Sequence, residues 1–353
     1  MGTAVPSVFV STGDLESAKS AILVIYANQA EDGQFPKAGP PNAIYRSDNK
    51  YQCILLWPAK LIATAYHLWH LEGTYNYVFY SGDTAFIADV WPQFIKGLNR
   101  TLGLVSSSGL LNVTGDQDWG RFTYSTERAS ANILLYRSLT AGAAIASWLP
   151  DSVASDKLAA VYRRQSKALK TAILEQLWDN KVGAFIDSSD SDLYPQDANA
   201  LAVAYGVVDP DSRQARRVSN YLESNWTPIL PASPELPGNS SPFISSIELD
   251  AHFRAGQPDR VLDLTKSLWG WYLNHENGTQ STTTEGFNVD SSWEYRRQRS
   301  YVEGTPYMSH AHGWSSGPTS TLTEHMLGLR GCPRPPWCIP LHFDILPLDR
   351  DLC

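Results

Sequence analysis

One stretch of the chain, residues 269–318, concentrates side chains that could act on a small polar substrate. One of its carboxylates, Glu285, stands within a run of small hydroxylated residues. Its large aromatic and imidazole side chains include Trp269, Trp271, Trp314, His310 and His312. Indole rings stack on the apolar face of a pyranose, imidazoles hydrogen-bond its hydroxyl groups, and a carboxylate can move a proton. This combination favours a pocket that binds and cleaves a carbohydrate.

A second short segment, TGDQDWGR at residues 114–121, offers further carboxylates beside an indole ring. Asp116 and Asp118 are the candidate acids, and Trp119 follows Asp118 directly. An aspartate in a loop can instead hydrogen-bond the nearby backbone and stabilise a turn. For Asp116 this structural role is supported as well as a functional one. Glu127 has a similar alternative, because a carboxylate near the start of a helix favours the helix dipole.

Charge and composition exclude several classes of partner. The 353-residue chain has a formal net charge of −8 and no block of Lys or Arg, which argues against nucleic acid and anionic membrane as partners. No apolar run is long enough to span a membrane. Twelve Trp and 17 Tyr residues fit either a large aromatic core or a sugar-binding cleft.

Signals for a metal ion or a nucleotide cofactor are weak throughout the sequence. It has no HExxH motif, no pair of cysteines at two-residue spacing and no Walker loop. Asp187, Asp190 and Asp192 could hold Ca²⁺, but a solvated acidic turn is the simpler interpretation. We therefore expect no cofactor and no metal.

Signals for cellular location conflict. The first ten residues lack the basic region and the cleavage site of a signal peptide. The Asn-X-Ser/Thr sequons that would suit a secreted glycoprotein are at Asn99, Asn112, Asn225, Asn239 and Asn277. A secreted enzyme whose leader lies upstream of Met1 would reconcile the two observations.

Helical periodicity dominates the chain, and strand signals are few. The predicted helices cover about 4–10, 14–30, 51–72, 84–98, 127–148, 152–178, 196–206, 212–224, 241–255, 258–274 and 316–329. Asp83 is the expected N-cap of the helix that follows it. Asp197 and Glu248 fall on predicted inner helices, where each could be a paired structural acid or part of the pocket floor, and the structural role is favoured. Long polar connectors alternate with short ones, a pattern that favours an all-α fold, an (α/α)6 toroid with a pocket at one rim.

The chain resembles the catalytic domain of glycoside hydrolase family 78, the α-L-rhamnosidases, in its fungal branch. The matching segments are FVSTGDLESAK, GTYNYVFYSGDT, GLLNVTGDQDWGR, PQDANALAVAYGVVD, SPFISSIELDAHFRAGQ, WGWYLNHENGTQSTTTEGF and SHAHGWSSGPTS. The resemblance implies a six-hairpin (α/α)6 catalytic domain over residues 1–330 that lacks its first helix. Residues 331–353 would be the remnant or the start of a carboxy-terminal β domain.

The resemblance also implies a reaction, the inverting hydrolysis of terminal α-L-rhamnose from plant glycosides or pectic side chains. Inversion uses two carboxyl groups about 6.5–9.5 Å apart, one as acid and one as base. Glu285 matches the family's general base. Asp118 and His312 match residues that hydrogen-bond the sugar, and Trp119 matches a stacking residue.

The general acid of the family belongs to an Arg-Asp motif that would precede Met1. The alternative to an active enzyme is therefore a truncated homologue that at most binds rhamnose. Trp269 and Trp271 are two residues apart on a helix, so one could reach the pocket while the other packs between helices. A lyase on the same toroid would need basic residues for a uronic acid, whereas the pocket motifs here are acidic and aromatic.

Overall fold

A computed structural model of the chain describes residues 2–40, 64–113, 118–121, 126–150, 152–154, 156–295 and 308–329, and it is mostly helical. The helices divide into two sets by their contacts, and the first set consists of α1 (Ala4–Thr12), α3 (Thr64–Ser81), α5 (Ala129–Trp148), α7 (Gln196–Ala204), α9 (Pro242–Arg254) and α12 (Gly317–Thr321). A second set is amphipathic or lies further from the axis: α2 (Glu16–Ala27), α4 (Thr84–Leu102), α6 (Asp156–Leu177), α8 (Arg213–Ser224), α10 (Pro258–Leu264) and α11 (Gly270–Leu273).

The first set forms an inner ring. Contacts run from α1 through α3, α5, α7 and α9 to α12, and α12 packs against α1. Each of the helices α2, α4, α6, α8 and α10 packs outside this ring against an inner neighbour. In the parts of the chain that the structure describes, this is the six-hairpin arrangement that the sequence predicts.

Burial follows the sequence pattern of each helix. All nine residues of α7 are buried, as expected for a helix covered on every side. On α8 only one stripe is buried, formed by Ala215, Val218, Ser219 and Leu222, and this spacing is typical of an outer helix. Asp83 caps α4 as predicted, since its Oδ1 accepts the backbone N–H of Phe86 at 2.9 Å.

The main differences from the sequence-based prediction concern three helices. The helix predicted over 51–72 is described from Thr64 and continues to Ser81. The predicted helix 258–274 is interrupted by a π-helical turn, Thr265–Trp269, between α10 and α11. A second π-helical turn, Leu322–Met326, follows α12. Such turns shift the angular position of the side chains that follow, which a regular helical period cannot predict.

Two short antiparallel strand pairs join connectors. β1 (Trp178–Asp179) pairs with β2 (Ala184–Phe185), and β3 (Asn239–Ser240) pairs with β4 (Phe287–Asn288). The second pair ties the connector before α9 to the segment that carries Glu285. Asn239 is fully buried in this pair, so its sequon is not on the surface.

No helix in the described part of the chain is both long and apolar enough to cross a lipid bilayer. The predicted carboxy-terminal segment, 331–353, lies outside the described residues, as does residue 330.

Candidate active site

Connectors gather at the amino-terminal ends of the inner helices, as the sequence predicts for a toroid. Arg128 immediately precedes α5, Asp197 lies in the first turn of α7, and Phe243 lies in the first turn of α9. A short 3-10 helix, Gly313–Ser315, leads into α12. The candidate active site is formed at this rim.

Glu285 is held by the backbone of a distant segment. Its N–H donates to the carbonyl oxygen of Ser309 at 2.9 Å, and the N–H of Ser309 donates to its Oε2 at 3.0 Å. A parallel pair of hydrogen bonds joins Thr283 and His312, at 2.7 and 2.8 Å. The Glu285 residue is 5% exposed, so its carboxylate is both fixed and largely shielded from solvent.

His312 lies beside this carboxylate. Its Nδ1 is 4.0 Å from Oε2 of Glu285, and 30% of its side chain is exposed. Burial lowers the pKa of His312 to about 4, so the imidazole is neutral at pH 7 and the contact is not an ion pair there. A neutral imidazole has one donor and one acceptor nitrogen, which suits recognition of a hydroxyl group.

Aromatic rings form the floor next to His312. The imidazole lies 4.1 Å from the Trp314 ring, and Trp314 stacks on Phe243 at 4.9 Å. The indole N–H of Trp314 donates to the backbone oxygen of Glu285 at 3.3 Å. Phe243 in turn contacts Trp119 edge-on at 6.2 Å. Trp119, His312 and Glu285 therefore belong to one continuous cluster.

Trp269 and Trp271 pack against different parts of the protein, and the expectation that one of them reaches the pocket stays a prediction. Trp269 is 5% exposed, and its indole N–H donates to the carbonyl oxygen of Ser315 at 2.8 Å. Trp271 packs on Phe287 at 5.0 Å and on His275 at 4.9 Å. Trp269 thus supports the segment that carries His312 and Trp314, and Trp271 supports the loop that leads to Glu285.

Asp118 and Trp119 are strongly engaged with the protein. Oδ1 of Asp118 accepts the N–H of Trp119 at 2.8 Å, and Oδ2 accepts from Arg128 at 3.4 Å. The Trp119 residue is 5% exposed, and its indole N–H donates to Oδ2 of Asp197 at 2.9 Å. Both residues lie at the rim, but little of their surface is open.

A buried ionic network lies behind Trp119 and was not predicted. Arg121 is fully buried and binds Asp187 at 2.6 Å and Asp197 at 3.2 Å. Glu235 accepts the backbone N–H groups of Gln196 and Asp197 at 2.8 and 2.9 Å, which caps α7. Burial raises the pKa values of both Asp197 and Glu235, and nearby carboxylates add to the shift: Asp118 and Asp187 act on Asp197, and Asp197 acts on Glu235. The positive charge of Arg121 opposes both shifts. The interpretation of Asp187 as a solvated or calcium-binding acid is therefore wrong.

The network continues from α7 to α9. Glu248 accepts from Trp226 at 2.7 Å and from Gln196 at 2.5 Å, and it lies 3.0 Å from Nε2 of His252. Nδ1 of His252 is 2.7 Å from the Ser219 hydroxyl. The hydrogen-bonded series Ser219, His252 and Glu248 resembles a nucleophilic triad. Ser219 is only 1% exposed, so no substrate can reach it.

The remaining sequence candidates are Asp116, His310 and Glu127. Asp116 is outside the described residues. His310 is exposed, and its ring is 6.0 Å from Trp293. Glu127 does not cap α5 but accepts the hydroxyl groups of Ser106 and Ser108 at 2.7 and 2.8 Å. Across the described ranges no cluster of His, Cys, Asp and Glu has the arrangement of a metal site.

Solved structures with the same architecture include three rhamnosidases. A rhamnosidase from Klebsiella oxytoca with rhamnose bound is 20% identical, with 93% of this chain and 57% of that chain covered and a TM-score of 0.69. The family 78 rhamnosidase of Bacillus sp. GL1 is 21% identical, with 93% and 32% covered and a TM-score of 0.70. The Streptomyces avermitilis α-L-rhamnosidase complexed with L-rhamnose is 16% identical, with 92% and 28% covered and a TM-score of 0.59.

These identities show the fold alone, and the chain spans about half or less of each of those proteins. No curated protein sequence matches the chain significantly. The family model described as the bacterial alpha-L-rhamnosidase six-hairpin glycosidase domain matches residues 10–227, a range that includes Asp118, Trp119 and Asp197. Because this match covers more than half of the 353 residues, the chain belongs to the alpha-L-rhamnosidase six-hairpin glycosidase family.

Proposed function

We propose that the protein is an inverting α-L-rhamnosidase and that Glu285 is its general base. The observation that carries the proposal is the fixed, shielded carboxylate of Glu285, 4.0 Å from a neutral His312 at the rim of a rhamnosidase-family toroid. The substrate class is a rhamnosylated small molecule or oligosaccharide, from a plant glycoside or a pectic side chain. The net charge of −8 makes nucleic acid and anionic membrane poor partners.

In the proposed reaction, Glu285 takes a proton from a water molecule as the water oxygen attacks the anomeric carbon. The bond between that carbon and the glycosidic oxygen breaks, and a general acid protonates the departing oxygen. Attack on the face opposite the leaving group inverts the configuration. Shielding favours the base role, since a carboxylate without a full water shell stabilises a developing positive charge more strongly.

His312 is the proposed hydrogen-bonding partner of the sugar hydroxyls, and Trp314 beside it offers a partly exposed ring face. Asp118 and Trp119 are proposed to complete the wall of the sugar-binding site. We assign Trp269 an indirect role, because its indole N–H fixes Ser315 instead of facing the site. The same holds for Trp271, which packs on Phe287. No described residue is assigned as the general acid.

The stereochemistry of the first product tests the proposal. Hydrolysis of an activated aryl α-L-rhamnoside should release β-L-rhamnose first, and proton NMR recorded before mutarotation detects it. Release of the α-anomer would contradict inversion. Absence of turnover, with rhamnose still bound, would favour the alternative of a rhamnose-binding homologue.

A comparison of leaving groups tests whether a general acid operates. Activated aryl glycosides need little protonation of the departing oxygen, whereas natural glycosides need it fully. Similar rates on both substrates would mean that this chain contains a complete acid–base pair. A rate confined to the activated substrate would mean that the acid is not supplied by this chain.

An extracellular location is part of the proposal. The family suggests secretion, and the sequons at Asn112 and Asn277 are on exposed residues that could carry glycans. Mass spectrometry of protein secreted from a eukaryotic host would detect them, and unmodified asparagine at both positions would contradict the glycoprotein expectation.

A further inference from the structure

A cavity of about 280 Å³ lies inside the inner ring, and none of the proposed site residues lines it. Its walls come from the helices α1, α3, α5, α7, α9 and α12 and from the π-helical turn after α12. The volume is close to the lower end of the range for small-molecule pockets, about 300–1,000 Å³. It is therefore suited to a ligand of monosaccharide size.

Part of the wall is fixed by internal pairing. Arg137 donates twice to Glu72, at 2.8 and 3.0 Å, and its guanidinium lies 4.3 Å from the Tyr75 ring and 5.1 Å from the Tyr205 ring. The Tyr80 hydroxyl donates to Glu324 on the opposite side. These pairs leave a rigid lining of aromatic rings and satisfied charges.

Other polar groups of the cavity lining are able to form hydrogen bonds with a ligand. The guanidinium of Arg254 makes no hydrogen bond or ion pair with any described residue, and its Nε is buried without a partner. The Tyr205 hydroxyl also has no hydrogen-bond partner among the described residues. Burial raises its pKa well above the usual value, so it stays a proton donor.

Asp250 supplies an acceptor next to these two donors. Its Oδ1 accepts from Thr321 at 2.9 Å and lies 3.1 Å from Nε2 of His325. Burial alone would raise the pKa of Asp250, but the hydrogen bond from His325 lowers it overall, so the side chain is a carboxylate at neutral pH. The side chain is 39% exposed although it lies within the helical ring, because it lines the cavity.

The charges of the lining decide which ligand fits. An anion would face the carboxylates of Glu72, Asp250 and Glu324, and a cation would face the guanidinium groups of Arg137 and Arg254. A neutral polyhydroxylated molecule can accept from Arg254 and Tyr205 and donate to Asp250 without either conflict. We propose that this cavity is a second binding site, which takes a neutral polyol of monosaccharide size.

The cavity is separate from the catalytic cluster but close to it. Tyr205 contacts Trp69 at 6.4 Å, Trp69 contacts Phe243 at 5.3 Å, and Phe243 stacks on Trp314 at 4.9 Å. A side chain larger than hydrogen at Gly317 would overlap Ser246, so α12 and α9 approach closely between the two regions. Binding in the cavity can therefore be measured while the catalytic cluster is disabled.

Calorimetric titration of L-rhamnose into the Glu285→Gln/His312→Ala double variant tests the site. Saturable binding should persist there, and adding Arg254→Met should weaken it at least about tenfold, as expected for a lost hydrogen bond from a charged donor. Arg213→Met, which removes an exposed arginine on α8, is the matched control and should change nothing. Tyr205→Phe should weaken binding less and serves if Arg254→Met does not fold.

The cavity site is wrong if the double variant binds no rhamnose, or if neither Arg254→Met nor Tyr205→Phe weakens the binding. Tighter binding of galacturonate, an anionic pyranose, than of rhamnose would overturn the ligand class. In the otherwise unchanged protein, Arg254→Met should leave hydrolysis of an aryl rhamnoside intact. Failure of the cavity site is thus distinguishable from failure of the proposed function.

Discussion

Glu285 and Ser309 are hydrogen-bonded to each other twice, although 24 residues separate them in the chain. The N–H of each residue is a donor: that of Glu285 to the Ser309 carbonyl oxygen, and that of Ser309 to the Glu285 carboxylate. A loop carboxylate gains from this pairing the fixed position that a general base needs. The hydrogen bond from the Ser309 N–H to the Glu285 carboxylate can be removed without removing the other one. A substitution at Ser309 can therefore test whether the position of the Glu285 carboxylate matters for catalysis.

Ser309→Pro should lower kcat on an aryl rhamnoside by about tenfold or more, because the loss of one backbone N–H releases the Glu285 carboxylate. Ser309→Ala keeps this N–H and is the matched control, with activity close to that of the unchanged protein. Steady-state kinetics with circular dichroism as a check on folding measures the difference. Equal activity of the two variants would mean that the Ser309 N–H does not position the base.

His312→Ala should raise KM about tenfold and change kcat less, since a hydrogen bond to the sugar in both ground and transition states affects mainly binding. The pKa of His312 is lowered to about 4, so its neutral form is available above that pH and lost below it. KM of the unchanged protein should therefore rise as pH falls through about 4. A KM that His312→Ala leaves unaltered would remove this residue from the sugar site.

His67 should make the fold sensitive to acid. Nδ1 of His67 accepts the N–H of Phe35, and Nε2 is 3.0 Å from the Gly97 oxygen, so the buried ring is neutral. Burial lowers its pKa from 6.5 to about 3. The unfolded chain then binds a proton that the folded chain does not, and stability is lost as pH falls from 6.5 toward 3, by about 2 kcal/mol at pH 5.

Urea unfolding at pH 7 and pH 5 measures this loss. His67→Gln lowers stability at both values but should flatten the difference between them. His275→Gln changes a histidine of intermediate exposure and should keep the slope of the unchanged protein. If His67→Gln leaves the difference in unfolding free energy between pH 7 and pH 5 unaltered, another group causes the acid sensitivity.

The ionisation of Glu235 should lower the stability of the fold as pH rises, opposite to the effect of His67. Burial and the nearby Asp197 raise its pKa above the unfolded value, so the folded protein holds a proton that the unfolded chain releases. This contribution is complete below the unfolded pKa of about 4.3 and is lost as pH rises through the folded pKa. Glu235→Gln should flatten this decline of stability, as thermal unfolding between about pH 4.3 and about pH 8 would reveal. An unchanged or steeper decline in the variant would contradict the raised pKa of Glu235.

Local sequence patterns predicted much of the fold. The helices α2, α4, α6 and α8 and the Asp83 cap depend on neighbours within a few residues, and their prediction is confirmed. The six-hairpin architecture followed from the order of helices and connectors together with the family resemblance. Departures occurred where the backbone leaves the regular period, as at the π-helical turn that ends in Trp269.

Long-range contacts in the site could not be predicted. Arg121 finds Asp187 and Asp197 more than 60 residues away, and Glu235 caps a helix 38 residues earlier in the chain. Only the fold brings these partners together, and no local spacing distinguishes Arg121 from a surface arginine. Phe243 was missed for the same reason, since its stacking on Trp314 depends on how α9 and the segment before α12 meet.

The turnover of Glu285→Gln on an activated aryl α-L-rhamnoside tests the central claim most directly. Glu276→Gln, an exposed carboxylate in the same connector, is the matched control. If Glu285 deprotonates the attacking water, kcat should fall by about 10²–10⁴ in Glu285→Gln while Glu276→Gln keeps the rate of the unchanged protein. A decrease of less than about tenfold in a folded Glu285→Gln protein would contradict the account.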